Sequence, residues 1–254
     1  MMDAFRIPVR HFNGRDGVQL AFREIGDGRP LLLFHGFTTT AEQTWIIPGY
    51  AAMLAGQGFR VIMPDLRGHG KSARPHDAAS YPPDVLTDDA LSLIDFLHIA
   101  DYDLGGYSLG ARVVMRMLVR GAKPGRALLG GQGLDVLSHS TVRTAKYRRF
   151  LSNAGTFQRG TQEWKLDDWV KQSGGDPQAL RLVLDTFVDT PPEALRGIML
   201  PTIVIVGDED RERASGDKLA TAMPDGRYVS VPGNHITAFP NFVSAMADFI
   251  TTPQ

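Results

Sequence analysis

Short apolar runs separated by polar, glycine-containing segments recur along the chain. A short apolar run bounded by turn residues is typical of a buried strand, so we predict strands at residues 30–35, 60–64, 103–107, 126–129, 202–207 and 227–231. Residues 18–24 alternate apolar and polar side chains, which predicts an antiparallel edge strand. Helical patterns fill the intervals at residues 41–55, 87–98, 111–118 and 239–250. This alternation predicts an α/β fold, a mostly parallel sheet with helices on both faces.

The alternation of strands and helices breaks once, between residues 131 and 199. No strand pattern is convincing there, whereas three helical patterns, separated by glycine and proline, occur at residues 140–152, 161–172 and 178–187. We therefore expect a helical insertion at 131–199, which divides the sheet-forming core into residues 1–130 and 200–254. The aromatic residues of the insertion are expected to pack in its own core rather than to contact a substrate; they are Phe157, Trp164, Trp169 and Phe187.

Composition narrows the classes of protein to which the chain can belong. Its 254 residues suffice for one large α/β domain, and a formal net charge of -1 gives no electrostatic basis for binding nucleic acid or an acidic membrane. The absence of cysteine excludes disulfides, cysteine-ligated metal and a thiol nucleophile. No apolar run approaches the roughly 20 residues of a membrane span, and residues 1–6 lack a long apolar leader. We expect a cytoplasmic monomer or homodimer without nucleic-acid or membrane partners.

The sequence Gly-Tyr-Ser-Leu-Gly at residues 106–110 lies between a predicted strand and a predicted helix. A serine in such a sharp turn needs small residues two positions before and two positions after it, because the backbone passes close to its neighbours there. The turn exposes the hydroxyl of Ser108, and the following helix N-terminus offers N–H groups and a positive dipole end to developing negative charge. The pattern therefore predicts that Ser108 is a nucleophile.

A nucleophilic serine requires a general base and a carboxylate that orients this base. Among the 7 histidines, His235 is the best candidate, because it lies in a loop directly after the predicted strand 227–231, where α/β sheets collect functional groups. Three acids, Asp208, Glu209 and Asp210, follow the predicted strand 202–207. Each would lie near His235 if these two strands are neighbours in the sheet, and the pattern alone does not distinguish the three.

The order serine, aspartate, histidine, with each residue at a strand end, resembles that of the α/β-hydrolase fold superfamily. The resemblance covers nearly the whole chain, with motifs at residues 31–37, 65–72, 106–110, 207–210 and 233–235. It implies a mostly parallel eight-stranded sheet with helices on both faces, and a small helical cap at the insertion. In relatives the acid falls three residues after the strand-end glycine, here Gly207, which selects Asp210 as the partner of His235.

The same resemblance implies an oxyanion hole formed by two backbone N–H groups. One belongs to Leu109, next to the nucleophile, and the other to Phe37, in the His-Gly-Phe motif of residues 35–37. The ring of His35 is expected to brace this loop by hydrogen bonds rather than to take part in chemistry. Residues 65–72 are also expected to be structural, with Asp65 and Arg67 bonding backbone groups and each other.

Residues and resemblance together predict a serine esterase-like hydrolase. It would cleave small or medium carboxylic esters through an acyl-enzyme, without a metal or organic cofactor. A serine at position 108 argues against the haloalkane dehalogenase and epoxide hydrolase branches, which use an aspartate there. Lactonases, amidases, thioesterases, carbon–carbon bond hydrolases and perhydrolases use the same triad, which does not separate them. The alternative from a different class is a ligand-binding or signalling protein of this fold with slow turnover.

Overall fold

The computed structural model describes residues 7–252, apart from the side chains of residues 140–143. Residues 1–6, on which the expectation about a leader rests, lie outside this range. The described chain forms one eight-stranded sheet in the order β1-β2-β4-β3-β5-β6-β7-β8. The strands are β1 (Arg10–Asn13), β2 (Gln19–Ile25), β3 (Arg29–Phe34), β4 (Phe59–Pro64), β5 (Asp103–Tyr107), β6 (Ala127–Gly130), β7 (Thr202–Gly207) and β8 (Gly226–Val231).

The sheet is antiparallel only at its β1 edge. Strand β1 pairs antiparallel with β2, and β2 pairs antiparallel with β4, whereas every later pairing is parallel. The predicted fold, mostly parallel with eight strands, is therefore confirmed. Because β7 and β8 are parallel neighbours, the loops after them lie at the same edge of the sheet.

Helices cover both faces of the sheet, and β3 illustrates why. Its alternate side chains point to opposite faces, so Leu32 and Phe34 join one hydrophobic cluster and Leu31 and Leu33 join the other. Among the helices that contribute to the first cluster are α2 (Val85–Leu97), α3 (Leu109–Val119) and α9 (Arg213–Thr221). Helices α1 (Tyr50–Gly56) and α10 (Phe239–Thr251) supply the second. Both faces of the central strands are buried, as an apolar run predicts.

Between β6 and β7 the chain is helical. The helices of this insertion are α4 (Leu134–Ser138), α5 (Ser140–Ser152), α6 (Gln162–Gln172), α7 (Pro177–Val183) and α8 (Pro192–Leu195). Leu151, Val170, Leu180 and Leu184 form a small hydrophobic cluster of their own. No helix in the described residues is long and apolar enough to cross a membrane.

Local differences from the predicted elements have simple causes. The short edge strand β1 was not predicted, since its four residues, Arg-His-Phe-Asn, contain a single apolar side chain. The predicted helix at 41–55 is divided into a π-helical segment, Glu42–Ile46, and α1, with Pro48 and Gly49 between them. Gly49 has φ of 83°, a left-handed conformation that interrupts an α-helix.

Candidate active site

Ser108 lies on a sharp turn between β5 and α3. Its φ of 55° and ψ of -111° are unusual for a residue other than glycine. Such a strained conformation persists only where the surrounding structure holds it in place. A Cβ on Gly106 would lie 2.3 Å from the carbonyl carbon of Gly110, and one on Gly110 would lie 2.1 Å from the carbonyl oxygen of Phe34. Glycine at 106 and at 110 is therefore required by contact, as the sequence pattern predicts.

Three side chains that are far apart in the sequence meet at this turn. Nε2 of His235 lies 3.0 Å from Oγ of Ser108, and Nδ1 of the same ring lies 2.7 Å from Oδ2 of Asp210. The carboxylate of Asp210 is buried, whereas the ring of His235 keeps 26% of its surface exposed. A carboxylate that accepts from Nδ1–H leaves Nε2 free to accept the serine proton.

The three adjacent acids after β7 have different positions. Asp210 approaches His235, and its second oxygen, Oδ1, accepts a hydrogen bond of 3.1 Å from the backbone N–H of Glu212. Asp208 instead accepts from the backbone N–H of Gly233 at 2.8 Å, and so supports the loop that carries His235. Glu209 is exposed. The geometry therefore distinguishes acids that the sequence pattern left equivalent.

Tyr107, the residue before Ser108, is a component of the site that the sequence analysis did not identify. Its hydroxyl donates a hydrogen bond of 2.8 Å to the backbone carbonyl of His235, and the two rings lie 5.4 Å apart. Burial raises the pKa of the Tyr107 hydroxyl, and the charge of Asp210 raises it further, so the group remains a donor. Tyr107 thus fixes the histidine loop directly to the turn that carries the serine.

Two backbone N–H groups are available near Ser108. Leu109 is the first residue of α3, where an N–H has no partner inside the helix, and Phe37 lies in the loop after β3. Among the described residues, neither N–H donates to another group of the chain. A Cβ on Gly36 would lie 3.7 Å from the Cβ of Ser108, which places this loop against the serine.

His35 braces the loop that contains Phe37, as predicted. Its Nδ1 lies 2.8 Å from the carbonyl oxygen of Gly36, and its Nε2 lies 3.0 Å from the backbone nitrogen of Leu66. A carbonyl only accepts and a backbone N–H only donates, so the ring is neutral with its proton on Nδ1. Burial lowers the pKa of His35 to about 4 and that of the neighbouring His69 to about 3.

These two buried histidines predict a loss of stability in mild acid. Their pKa values are lower in the folded chain than the unfolded value of about 6.5, so below that pH the unfolded chain binds more protons. Lowering the pH from 7.5 to 5.5 should cost about 1.3 kcal/mol of unfolding free energy for each histidine. Urea unfolding at both pH values measures the loss.

The variant His69→Gln is expected to lose about 1.3 kcal/mol less than the unchanged chain over this pH interval. His11→Gln, at an exposed position, is the matched control and should retain the full loss. Burial also raises the carboxyl pKa of Asp89 to about 6, which changes the unfolding free energy with pH in the opposite direction. This contribution is the same in the variant and in the unchanged chain, so it cancels when their losses of unfolding free energy are compared. The same loss of unfolding free energy in His69→Gln as in the unchanged chain would contradict the role of His69 in this pH dependence.

The segment 65–72 is structural, but its ion pairs differ from the prediction. Asp65 and Arg67 do not bond each other. Asp65 accepts from the backbone N–H groups of Ala41 and Lys71 at 2.8 and 2.9 Å, while the fully buried Arg67 pairs with Asp16 and Asp89. The partners of Arg67 are therefore a loop residue between β1 and β2 and a residue of α2, whereas Asp65 bonds its own segment and the start of the π-helical segment. The segment thus connects parts of the chain that are far apart in the sequence.

Two cavities meet at Ser108, and they differ in size. A small chamber of about 40 Å³ is lined by Phe37, Ser108, Leu109, Arg112, Gln132, Val136, Thr144, Tyr147, Leu184 and Phe187. A larger cleft of about 660 Å³ also reaches Ser108, and its lining includes His235, Tyr50, Tyr107, Trp169 and Phe239. His235 borders the cleft and does not line the chamber. In the described residues, no group of three or more His, Asp or Glu side chains could hold a metal ion.

Two aromatic residues of the insertion, which were expected to pack in its own core, also line the cavities at Ser108. Trp169 is 44% exposed, lines the cleft, and donates from Nε1 to the carbonyl oxygen of Thr38 at 3.2 Å. Phe187 lines the chamber. Both face a cavity because α6 and the segment after α7 lie across the strand ends that carry Ser108 and Phe37. The side chains of Arg112 and Gln132 also line the chamber, and the sequence analysis assigned them no function.

Comparison with known proteins identifies the family of the chain. A family model described as the alpha/beta hydrolase family matches residues 31–250. A non-heme haloperoxidase of Rhodococcus erythropolis is 27% identical in a match that covers 86% of this chain and 89% of that protein. An epoxide hydrolase of Caballeronia sordidicola is 40% identical over 96 residues, but these cover 38% of this chain and only 28% of the epoxide hydrolase.

A similar fold occurs in solved structures. The enol-lactonase from Burkholderia xenovorans LB400 superimposes with a TM-score of 0.75 at 23% sequence identity, over 96% of this chain and 100% of the lactonase. At this level of identity the likeness shows a shared fold. The activities of these proteins differ from one another, so none of them by itself indicates the reaction of this chain.

Proposed function

The chain belongs to the alpha/beta hydrolase family, and from that premise we propose that it is a serine hydrolase of carboxylic esters with a short acyl group and a larger, apolar leaving group. The observation that carries the proposal is the hydrogen-bonded series from Ser108 Oγ through His235 to Asp210, with distances of 3.0 and 2.7 Å. Such a series is the arrangement by which a neutral hydroxyl becomes a nucleophile.

In the first half of the reaction, Ser108 Oγ attacks the ester carbonyl carbon while its proton passes to Nε2 of His235. The carbonyl oxygen becomes an oxyanion held by the N–H groups of Phe37 and Leu109, each worth about 3 kcal/mol in the transition state. Asp210 stabilises the imidazolium that forms. The carbon–oxygen bond to the leaving group then breaks, and the proton on Nε2 passes to the departing alkoxide, which leaves as an alcohol.

In the second half of the reaction, a water molecule replaces the alcohol. His235 Nε2 accepts a proton from this water, whose oxygen attacks the acyl carbon of the acyl-enzyme. The bond to Ser108 Oγ breaks, the proton returns to Oγ, and a carboxylic acid leaves. No cofactor is consumed in either half, since the sum of the two steps is ester plus water giving acid plus alcohol.

Each of the two cavities is proposed to hold one part of the ester. His235 protonates the leaving oxygen, so the leaving group must lie on the His235 side, in the cleft. The acyl group then occupies the chamber, which is lined by Ser108, Phe37 and Leu109 but not by His235. A water fills about 10–15 Å³ of such space, so the chamber of about 40 Å³ accepts about three non-hydrogen atoms beyond the carbonyl. Butyryl is the straight-chain limit.

The cleft suits an apolar leaving group. Aromatic side chains line much of it, and Ile236 at its edge is 81% exposed. Residues of the insertion contribute to both cavities: Leu184 and Phe187 to the chamber, and Leu166 and Trp169 to the cleft. The proposal therefore includes the insertion 131–199 as a cap that determines which substrates fit.

Hydrolysis of p-nitrophenyl esters of increasing acyl length tests the proposal. The value of kcat/KM is expected to be highest from acetyl to butyryl and to fall at least tenfold by hexanoyl, because the chamber has no space for further methylenes. Sustained turnover that requires Ser108 is the expected form of the reaction. An optimum at octanoyl would contradict the placement of the acyl group in the small chamber. One burst of product without further turnover would favour a ligand-binding protein with slow turnover.

A further inference from the structure

Gln132, two residues beyond β6, lines the chamber and is only 4% exposed. Its Nε2 donates a hydrogen bond of 2.6 Å to the backbone carbonyl oxygen of Ser108. A carbonyl oxygen only accepts, so the amide orientation is determined: nitrogen faces Ser108 and Oε1 faces away from it. Among the described residues, this buried Oε1 has no hydrogen-bond partner.

A buried acceptor without a partner destabilises a folded protein, and most such groups in native structures have one. A ligand that brings a donor to Oε1 satisfies this acceptor and gains affinity that an apolar ligand lacks. The donor must belong to the acyl group, because the proposed function places the acyl group, and not the alcohol, in this chamber.

Arg112 lines the same chamber from α3, one helical turn after Ser108. It is 4% exposed, its guanidinium lies 4.9 Å over the ring of Phe187, and it donates to the backbone carbonyls of Val136 and Val188. Its positive charge favours an oxygen lone pair in the chamber. The small space beside Ser108 is therefore lined by two buried polar side chains: Gln132, whose Oε1 has no partner among the described residues, and the cationic Arg112.

We infer that the acyl group carries a hydroxyl, as in esters of short 2-hydroxy acids, an assignment that rests on the proposed function. A hydroxyl is both donor and acceptor: its hydrogen points to Gln132 Oε1 while its lone pairs face Arg112. A lactoyl group places three non-hydrogen atoms, one CH, one methyl and one hydroxyl oxygen, beyond the carbonyl. That number matches the capacity of the chamber, about three water-sized groups.

The test compares benzyl lactate, as each enantiomer, with benzyl isobutyrate. The two acyl groups have the same shape, with a hydroxyl in one where the other has a methyl. Each kcat/KM is divided by the rate constant for hydroxide-catalysed hydrolysis of the same ester, which removes the intrinsic reactivity of the lactate. The corrected ratio is expected to favour one lactate enantiomer about tenfold or more, because a site with an unpaired polar group discriminates against an analogue without the hydroxyl. A corrected ratio of one or less overturns the inference.

A pair of variants locates the effect. Gln132→Met keeps the length of the side chain and removes the acceptor, so the corrected ratio should fall to within a few-fold of one. Gln43→Met is the matched control: Gln43 also has a buried Oε1 without a partner among the described residues, but it lines the cleft on the leaving-group side. The control is expected to keep the acyl preference. A preference that survives in Gln132→Met overturns the assignment to Gln132.

The outcomes separate this inference from the proposed function. Ser108-dependent hydrolysis of both esters without preference contradicts the 2-hydroxyacyl assignment alone. Absence of Ser108-dependent hydrolysis of either ester contradicts the proposed function and the inference with it. The comparison of substrates uses the unchanged protein, so it decides the question even if Gln132→Met, which also loses the bond to the Ser108 carbonyl, does not fold.

Discussion

Replacing Ser108 by alanine is expected to lower kcat/KM for a carboxylic ester by roughly four to six orders of magnitude. The variant lacks the atom that forms the acyl-enzyme, so neither half of the reaction can proceed by that route. The residual rate should come from the oxyanion N–H groups of Phe37 and Leu109, which do not depend on the serine side chain. Steady-state hydrolysis of p-nitrophenyl butyrate by both proteins measures the change.

The fold should tolerate this change. Among the described residues, Ser108 Oγ is hydrogen-bonded only to Nε2 of His235, whose ring is 26% exposed, so water can replace the lost partner. The backbone strain at φ of 55° is the same for alanine as for serine. We expect melting temperatures within a few degrees of each other. Near-normal turnover by a folded Ser108→Ala protein would remove Ser108 from the mechanism.

Sequence reasoning succeeded where a feature depends on neighbouring residues. Buried strands appear as apolar runs, and the turn at Ser108 appears as two glycines at fixed distances from the serine. Both are local consequences of backbone geometry, so the pattern of one segment is enough to predict them. The parallel order of strands follows from the alternation with helices, which the sequence also contains.

Sequence reasoning failed where a feature depends on residues far apart in the chain. Tyr107 meets the backbone of His235 across 128 positions, and Trp169 meets that of Thr38 across 131. Nothing next to Gln132 indicates that its amide lies against Ser108. Arg67 lies two residues from Asp65, yet its partners are Asp16, in the loop between β1 and β2, and Asp89, in α2. Such contacts are determined by the tertiary fold, and a short motif contains no information about them.

Substitution of the acids after β7 is expected to have very different effects at positions 210 and 208. Asp210→Asn should reduce kcat/KM by about four orders of magnitude, whereas Asp208→Asn should change it by no more than a few-fold. The amide of the Asp208→Asn variant would keep an oxygen that accepts from the backbone N–H of Gly233, so the histidine loop keeps its support. Both variants and the unchanged chain are compared with one ester at one pH, with melting temperatures as the check on folding.

The reason for the large effect at position 210 lies in the backbone N–H of Glu212. This group donates to Asp210 Oδ1, so in Asp210→Asn it would hold the amide oxygen and turn the amide nitrogen toward His235 Nδ1. An amide N–H facing Nδ1 forces the ring proton onto Nε2, the atom that must accept the proton of Ser108. The variant would retain the shape of the site and lose its base. A larger loss in Asp208→Asn than in Asp210→Asn would instead assign the orienting role to Asp208.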